Sequence, residues 1–248
     1  MLVSDKFYLS RSRMMEFLEY LTVNSGDAGA MTLYIPPGSP EIEILDMLKL
    51  GGVLFTEKEI LGFTRYSKTG AVLFWGGRRK FLVLLPFPSK EKVVFHGYNI
   101  ESVQKLLSTD FLIGLVLVHL GSYAVGICHG EDIISSKVGT GLVHGRQRSG
   151  GSSSKRYLRR RENQVTEFLD RVCGHAIEQF TPHEQQLDYL VYGGPHQTVL
   201  QLKNRCPFLH KFEDKVLPNI AAPSLHRSIL KTVVKRLWST CVIEWQES

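Results

Sequence analysis

The sequence has no Cys-x-x-Cys pair, and its four cysteines (Cys128, Cys173, Cys206 and Cys241) stand far apart. Such spacing announces neither a zinc ribbon nor a redox dithiol, so all four are expected to be reduced, mostly core residues of a cytosolic protein. No apolar run is long enough for a bilayer. The longest, Phe111 to Leu120, is broken by Gly114 and His119 and reads as a buried strand. The opening Met-Leu-Val-Ser-Asp-Lys carries no apolar signal core. Neither membrane insertion nor secretion is therefore expected. Nucleotide-binding fingerprints are also missing: there is no Gly-x-x-x-x-Gly-Lys-Ser/Thr loop, and no glycines stand in Gly-x-Gly-x-x-Gly order. One further absence is local. From Arg146 to Arg161 there is no acidic residue.

That segment holds Arg146, Arg148, Lys155, Arg156, Arg159, Arg160 and Arg161. Removing its seven charges from the net +6 leaves −1 for the rest of the chain. The basic character is therefore one cluster, the pattern expected where a polyanion binds. Elsewhere the balance is that of a globular protein, 43% hydrophobic and 22% charged, enough to bury a core without staples. A length of 248 residues suits one large or two small domains.

The periodicities suggest two units, with residues 1–95 as a small α/β domain. Met14, Phe17, Leu18 and Leu21 predict a helix over Ser10–Leu21. Met31–Ile35 is a strand stopped by Pro36-Pro37. Pro40 opens a helix ending at Leu50, and Thr56-Glu-Lys-Glu59 is a capping box for another. Ala71–Trp75 and Lys80–Leu85, joined at Gly76-Gly77, predict a hairpin. In residues 96–248, a helix over Asn99–Leu107 precedes a three-strand meander: Phe111–Leu120, Tyr123–His129 and Asp132–Val138. A glycine-rich loop over 144–154 leads into a long helix over 153–180, with Val165, Phe168, Leu169, Val172 and Ala176 on one face. A strand over Leu187–Tyr192 and helices over His196–Asn204, Phe208–Val216 and Leu225–Trp238 complete the pattern. Sheets with covering helices make the fold class α/β or α+β. The three tryptophans, Trp75, Trp238 and Trp245, are expected in the core or an interface.

The segment His144 to Gln164 carries the chemistry. Its first half is a Gly/Ser loop between strand and helix, and Ser152, Ser153 and Ser154 are good N-cap residues. The helix then opens with Lys155, Arg156, Arg159, Arg160 and Arg161. Cations at a helix N-terminus oppose the macrodipole by a few tenths of a kcal/mol each. Stability alone would place Asp or Glu there, so these residues point to an external anion, with phosphate favoured by guanidinium groups and a helix N-terminus. Glycine lets backbone N–H groups approach a target closely.

The sequence resembles the eukaryotic and archaeal class I peptide-release factors, and more closely their relatives, the Vms/ANKZF-like peptidyl-tRNA hydrolases. It has a strand, then His144-Gly145-Arg146, then Gly150-Gly151, then Arg156-Tyr157-Leu158-Arg159-Arg160-Arg161, at the spacing of the release-factor middle domain. Phe111–Gly130 and Leu190–Gly194 resemble strands of that domain, and Met31–Pro37 and Ala71–Phe87 those of the N domain. The resemblance implies an N-domain-like unit over 1–95 and an RNase H-like middle-domain unit over 96–248, a mixed sheet with covering helices. It implies a cytoplasmic protein that frees nascent chains from stalled large ribosomal subunits, with rRNA and peptidyl-tRNA as partners. Arg146, Arg148, Lys155, Arg156, Arg159, Arg160 and Arg161 would hold RNA phosphates, and Gly150 and Gly151 would carry the loop to the ester. The family's Gly-Gly-Gln glutamine falls on Ser152. The Ser152 backbone N–H retains the role of stabilising the leaving oxygen, and Gln147, in a short insertion, is the candidate for the side-chain role. The alternative reading is a ribosome- or RNA-binding relative without hydrolase activity. Codon-reading motifs are not recognisable in residues 1–95.

Neither the residues nor the resemblance calls for a cofactor. His119, His129 and His144 lie near one another along the meander and loop, but no convergent carboxylate or thiolate accompanies them, and no metal is expected. Glu131-Asp132 reads as an ordinary turn, Ser152 to Ser154 show no triad signature, and a monomer is expected.

Overall fold

The computed structural model describes residues 3–23, 29–53, 57–76, 79–143, 145, 154–222 and 228–246. They form a mixed α/β structure with two sheets. The chain divides into two compact units: Met1–Thr109 with Lys235–Ser248, and Asp110–Val234.

The first unit is built on six strands: β1 (Val3–Leu9), β2 (Met31–Ile35), β3 (Ala71–Trp75), β4 (Arg79–Leu84), β5 (Val93–His96) and β10 (Thr240–Gln246). Their order is β1-β10-β4-β3-β2-β5, and every pairing is antiparallel. The central strands are buried on both faces, which is why they read as nearly unbroken apolar runs rather than alternating ones. Leu33, Ile35, Leu73, Leu82, Ile243 and Trp245 share one core with Ile44, Met47 and Leu48 of α2 (Glu41–Leu50) and Ile60 of α3 (Glu57–Thr64). Tyr34, Val72, Phe74, Phe81, Val83 and Val242 share the other with Met14, Leu18 and Leu21 of α1 (Arg11–Val23) and Val103 and Leu107 of α4 (Glu101–Ser108). The two-residue repeat of strand side chains sorts the sequence between these cores. The Trp245 indole N–H donates to Glu59 Oε2 at 2.7 Å, so this fully buried ring has its polar atom satisfied.

Three strands here were not foreseen: β1, β5 and β10. The one-cut division near residue 95 is corrected accordingly. Strand β10 pairs with β1 and β4, so the first unit includes residues from beyond the second. Burial is the reason: Val242, Ile243 and Trp245 are fully buried there. The capping residue Thr56 lies outside the described residues.

The second unit has four strands, β6 (Leu112–His119), β7 (Ser122–His129), β8 (Asp132–Thr140) and β9 (Tyr189–Gly193), in the order β8-β7-β6-β9. The meander is antiparallel as expected, and β9 runs parallel to β6. Helix α5 (Ser154–Phe180) covers one face, with α6 (His196–Arg205) beside it. Phe168, Leu169, Val172, Ala176 and Phe180 of α5 pack with Val116, Val118, Val125 and Ile127 of the sheet and with Val199 and Leu202 of α6. Pro207–Lys215 is a 3-10 segment rather than an α-helix, with a kink at Phe212. Helix α7 (Ile229–Leu237) follows; residues 225–227 of the expected helix lie outside the described residues.

The cysteine expectation is corrected. Cys173 of α5 and Cys206, which caps α6, form a disulfide with Cα atoms 5.5 Å apart. Thirty-three positions of sequence hid a pair that the packing of α5 on α6 brings together. Cys128 and Cys241 are free and buried. Burial pushes the Cys128 thiol up to about 12.

Candidate nucleic-acid interface

Strand β8 delivers the chain to the glycine-rich loop, and α5 carries it away. Both sides of the loop base are fastened. The Gly141 N–H donates to the Gly121 carbonyl at 3.0 Å, and Arg171 Nη1 donates to the Thr140 carbonyl at 3.3 Å. A Cβ at Gly141 would stand 2.7 Å from the Phe168 ring, so glycine lets the strand exit lie directly on α5. Val143 packs on the same core. On the far side, the Tyr157 hydroxyl donates to the Gly145 carbonyl at 2.8 Å. That bond ties the start of the loop to the first turn of the helix after it.

The cations of α5 fall into two groups. At 100° per residue, Lys155, Arg156, Arg159 and Arg160 occupy one side of the helix, roughly opposite the side that buries Phe168, Leu169 and Val172. All four are exposed, and none forms an ion pair among the described residues. Several cations elsewhere do have acidic partners: Arg79 with Glu244, Lys92 with Glu43, Lys203 with Glu213, Arg205 with Asp170 and Lys211 with Glu184. Lys155 and Arg159, like Arg156 and Arg160, are four apart, so like charges sit above one another. The first turn contains no acid. Local physics thus disfavours this arrangement twice, through repulsion and through the helix dipole. An unpaired cationic face under those costs is a surface suited to an external polyanion.

Arg161 turns the other way. It is half-buried and lines a groove of about 790 Å³ between α5 and α6, with Glu162, Val165, Gln197, Gln201 and Arg205 among its neighbours. The sequence reading missed this groove. Its signal was present as Gln197, Gln201 and Asn204, spaced to share one side of α6. Of the other expected site residues, Arg146, Gln147, Arg148, Gly150, Gly151 and Ser152 lie outside the described residues, as does His144. His119 is engaged structurally, its Nε2 lying 2.5 Å from the Ala222 carbonyl oxygen.

A family described as the Actinobacteria/chloroflexi VLRF1 release factor matches residues 112–243, more than half of the chain. The chain belongs to that family. As a VLRF1 release-factor family member it is also similar to archaeal release factors. It is 26% identical over 242 residues to peptide chain release factor subunit 1 of Archaeoglobus fulgidus, covering 84% of this chain and 59% of that protein. Against the same factor from Aeropyrum pernix it is 27% identical over 226 residues, covering 78% and 60%. The chain therefore spans about three fifths of those relatives' length. An archaeal translation termination factor, aRF1, aligns in structure over 93% of this chain and 73% of its own at 17% identity, with a TM-score of 0.37. Among the described residues of this VLRF1 family member, no helix is long and apolar enough to cross a membrane.

Proposed function

We propose that this VLRF1 family member is a cytoplasmic peptidyl-tRNA hydrolase of ribosome rescue, close in role to the Vms/ANKZF-like enzymes, which frees nascent chains from stalled large ribosomal subunits. The observation that carries the reading is the unpaired cationic face of Lys155, Arg156, Arg159 and Arg160 at the start of α5, with the loop base fastened by Tyr157 beside it. rRNA or tRNA phosphates are the partners this face suits, with Arg146 and Arg148 adding to it and Arg161 at its edge. Gly150 and Gly151 carry the loop to the ester. The Ser152 backbone N–H donates to the ribose oxygen as the ester bond breaks, and Gln147 admits and orients the attacking water. No cofactor is needed, and the protein acts as a monomer.

The test is release of a nascent chain from purified large subunits carrying peptidyl-tRNA. Replacing Gly150 and Gly151 with alanine should abolish release while leaving co-sedimentation intact. Normal release by that variant would remove the loop from the mechanism.

Serine in place of the family glutamine favours a second reading, a ribosome-binding relative without hydrolysis. Gln147→Ala separates the two. Lost hydrolysis with unchanged binding supports the enzyme, whereas a wild-type chain that binds subunits and releases nothing supports the binder.

A further inference from the structure

The groove between α5 and α6 is distinct from the cationic face and has its own chemistry. One wall is the exposed side of α6, where Gln197, Gln201 and Asn204 follow one another over on the order of 10 Å of helix. The floor is apolar, from Val165, Leu169 and Leu120. At one end stands Arg205, whose Nε and Nη2 donate to the two oxygens of Asp170 at 2.5 and 2.8 Å. This bidentate pair fixes the plane of the guanidinium. Cys206 follows immediately, and its disulfide to Cys173 joins the two helices, so the spacing between the walls is set covalently.

We propose that this groove receives an unpaired RNA base. A row of side-chain amides offers donors and acceptors to a base edge, the apolar floor takes its face, and a guanidinium held flat is a stacking platform. Charge places the rest of the strand. Going round α5 from Arg160 to Arg161 leads from the cationic face into the groove, so a backbone held on Arg156 and Arg160 can drop a base past Arg161. Glu162 is the one acid among the lining residues, and the amides are neutral. A paired helix would keep its bases stacked inside and could use the cationic face alone. The proposal takes from the reading above only that the partner is RNA, and its test uses free RNA without ribosomes. A failed release assay therefore leaves it standing, and its own failure leaves the loop mechanism standing.

The experiment is fluorescence anisotropy of the full chain with two probes at fixed salt: a fluorescein-labelled unstructured RNA decamer and a blunt RNA duplex carrying the same number of phosphates. The double variant Gln201→Ala/Asn204→Ala should lose roughly tenfold in affinity for the decamer, about what one or two hydrogen bonds to a base edge contribute. Its affinity for the duplex should stay within about twofold, and its salt slope should not move, because phosphate contacts are kept. Arg205→Lys keeps the charge but loses the flat platform, and should show the same selective loss. Both Gln201 and Asn204 are exposed, so the alanine pair should melt like the wild type. Equal losses on both probes, or no loss on the decamer, would overturn the proposal. So would amide chemical-shift changes at Gln197, Gln201 and Asn204 with a hexaglutamate peptide but not with the decamer.

Discussion

Replacing Lys155 and Arg156 with glutamate should make the protein more stable and a poorer RNA binder at once. Both residues are in the first turn of α5, where an acid gains about 0.3–1 kcal/mol from the helix dipole and a cation loses a few tenths. Each change also converts a like-charge pair, with Arg159 or Arg160, into a Glu-to-Arg pair four residues apart, the better orientation, for a swing of roughly 0.5 kcal/mol. All four side chains are exposed, so solvent screening halves the sum to about 1–2 kcal/mol. For a chain of this size that is a rise in melting temperature of roughly 2–6 °C. Binding should respond in the opposite sense. Each lost phosphate contact lowers the slope of log affinity against log salt by about 0.9 for duplex or 0.7 for single-stranded nucleic acid. Calorimetry and a salt titration of co-sedimentation with large subunits read the two effects separately. A double variant that melts lower than the wild type, or binds subunits with an unchanged salt slope, would refute the claim that these cations oppose the fold and serve an external anion.

Tyr157→Phe removes the bond to the Gly145 carbonyl, costing about 1 kcal/mol; hydrogen exchange at the α5 start should quicken and release should slow, with subunit binding unchanged. Gly141→Ala brings a methyl within 2.7 Å of the Phe168 ring and should cost about 1–3 kcal/mol by urea denaturation. Reducing Cys173–Cys206 opens a closure of 33 positions and should lower unfolding free energy by about 3–4 kcal/mol on the chain-entropy account, seen as an earlier urea midpoint in dithiothreitol. Burial raises Tyr34 and Cys128 to about 12 in the folded chain, from 10.0 and 9.0. Their share of stability is complete below about pH 9 and lost as pH rises through 12, so an alkaline transition should appear in that window. Iodoacetamide at pH 8 should leave Cys128 unlabelled until the chain is denatured.

Much of this fold was legible from periodicity. Ala71–Trp75 and Met31–Ile35 are strands at the expected residues, and the meander and the long helix fall within a residue or two of expectation. The reasons are local: glycine turns, proline stops and strong repeats declare themselves within a short window. The missed strands lacked such signals. Val3–Leu9 holds Ser4, Asp5 and Lys6 in succession and becomes a strand by pairing with β10, and Val93–His96 is a short edge. Thr240–Gln246 had β-branched and aromatic residues enough to be found, but it follows a helix by two residues and its partners are remote in sequence. The cationic cluster was legible because charge needs no fold to be counted. Which of its members face outward and which turns toward α6 depends on the phase of α5 against its core. The groove and the disulfide depend on α5 lying beside α6, which no window of sequence contains.

The position of β10 has a consequence for how the polypeptide acquires its shape during synthesis. It lies inside its sheet, hydrogen-bonded to β1 on one side and β4 on the other. Residues 110–234 are contiguous and can consolidate as they emerge. The six-stranded sheet must wait, with β4 presenting an open ladder, until β10 arrives. That sheet is thus closed only after residues 110–234 have been made.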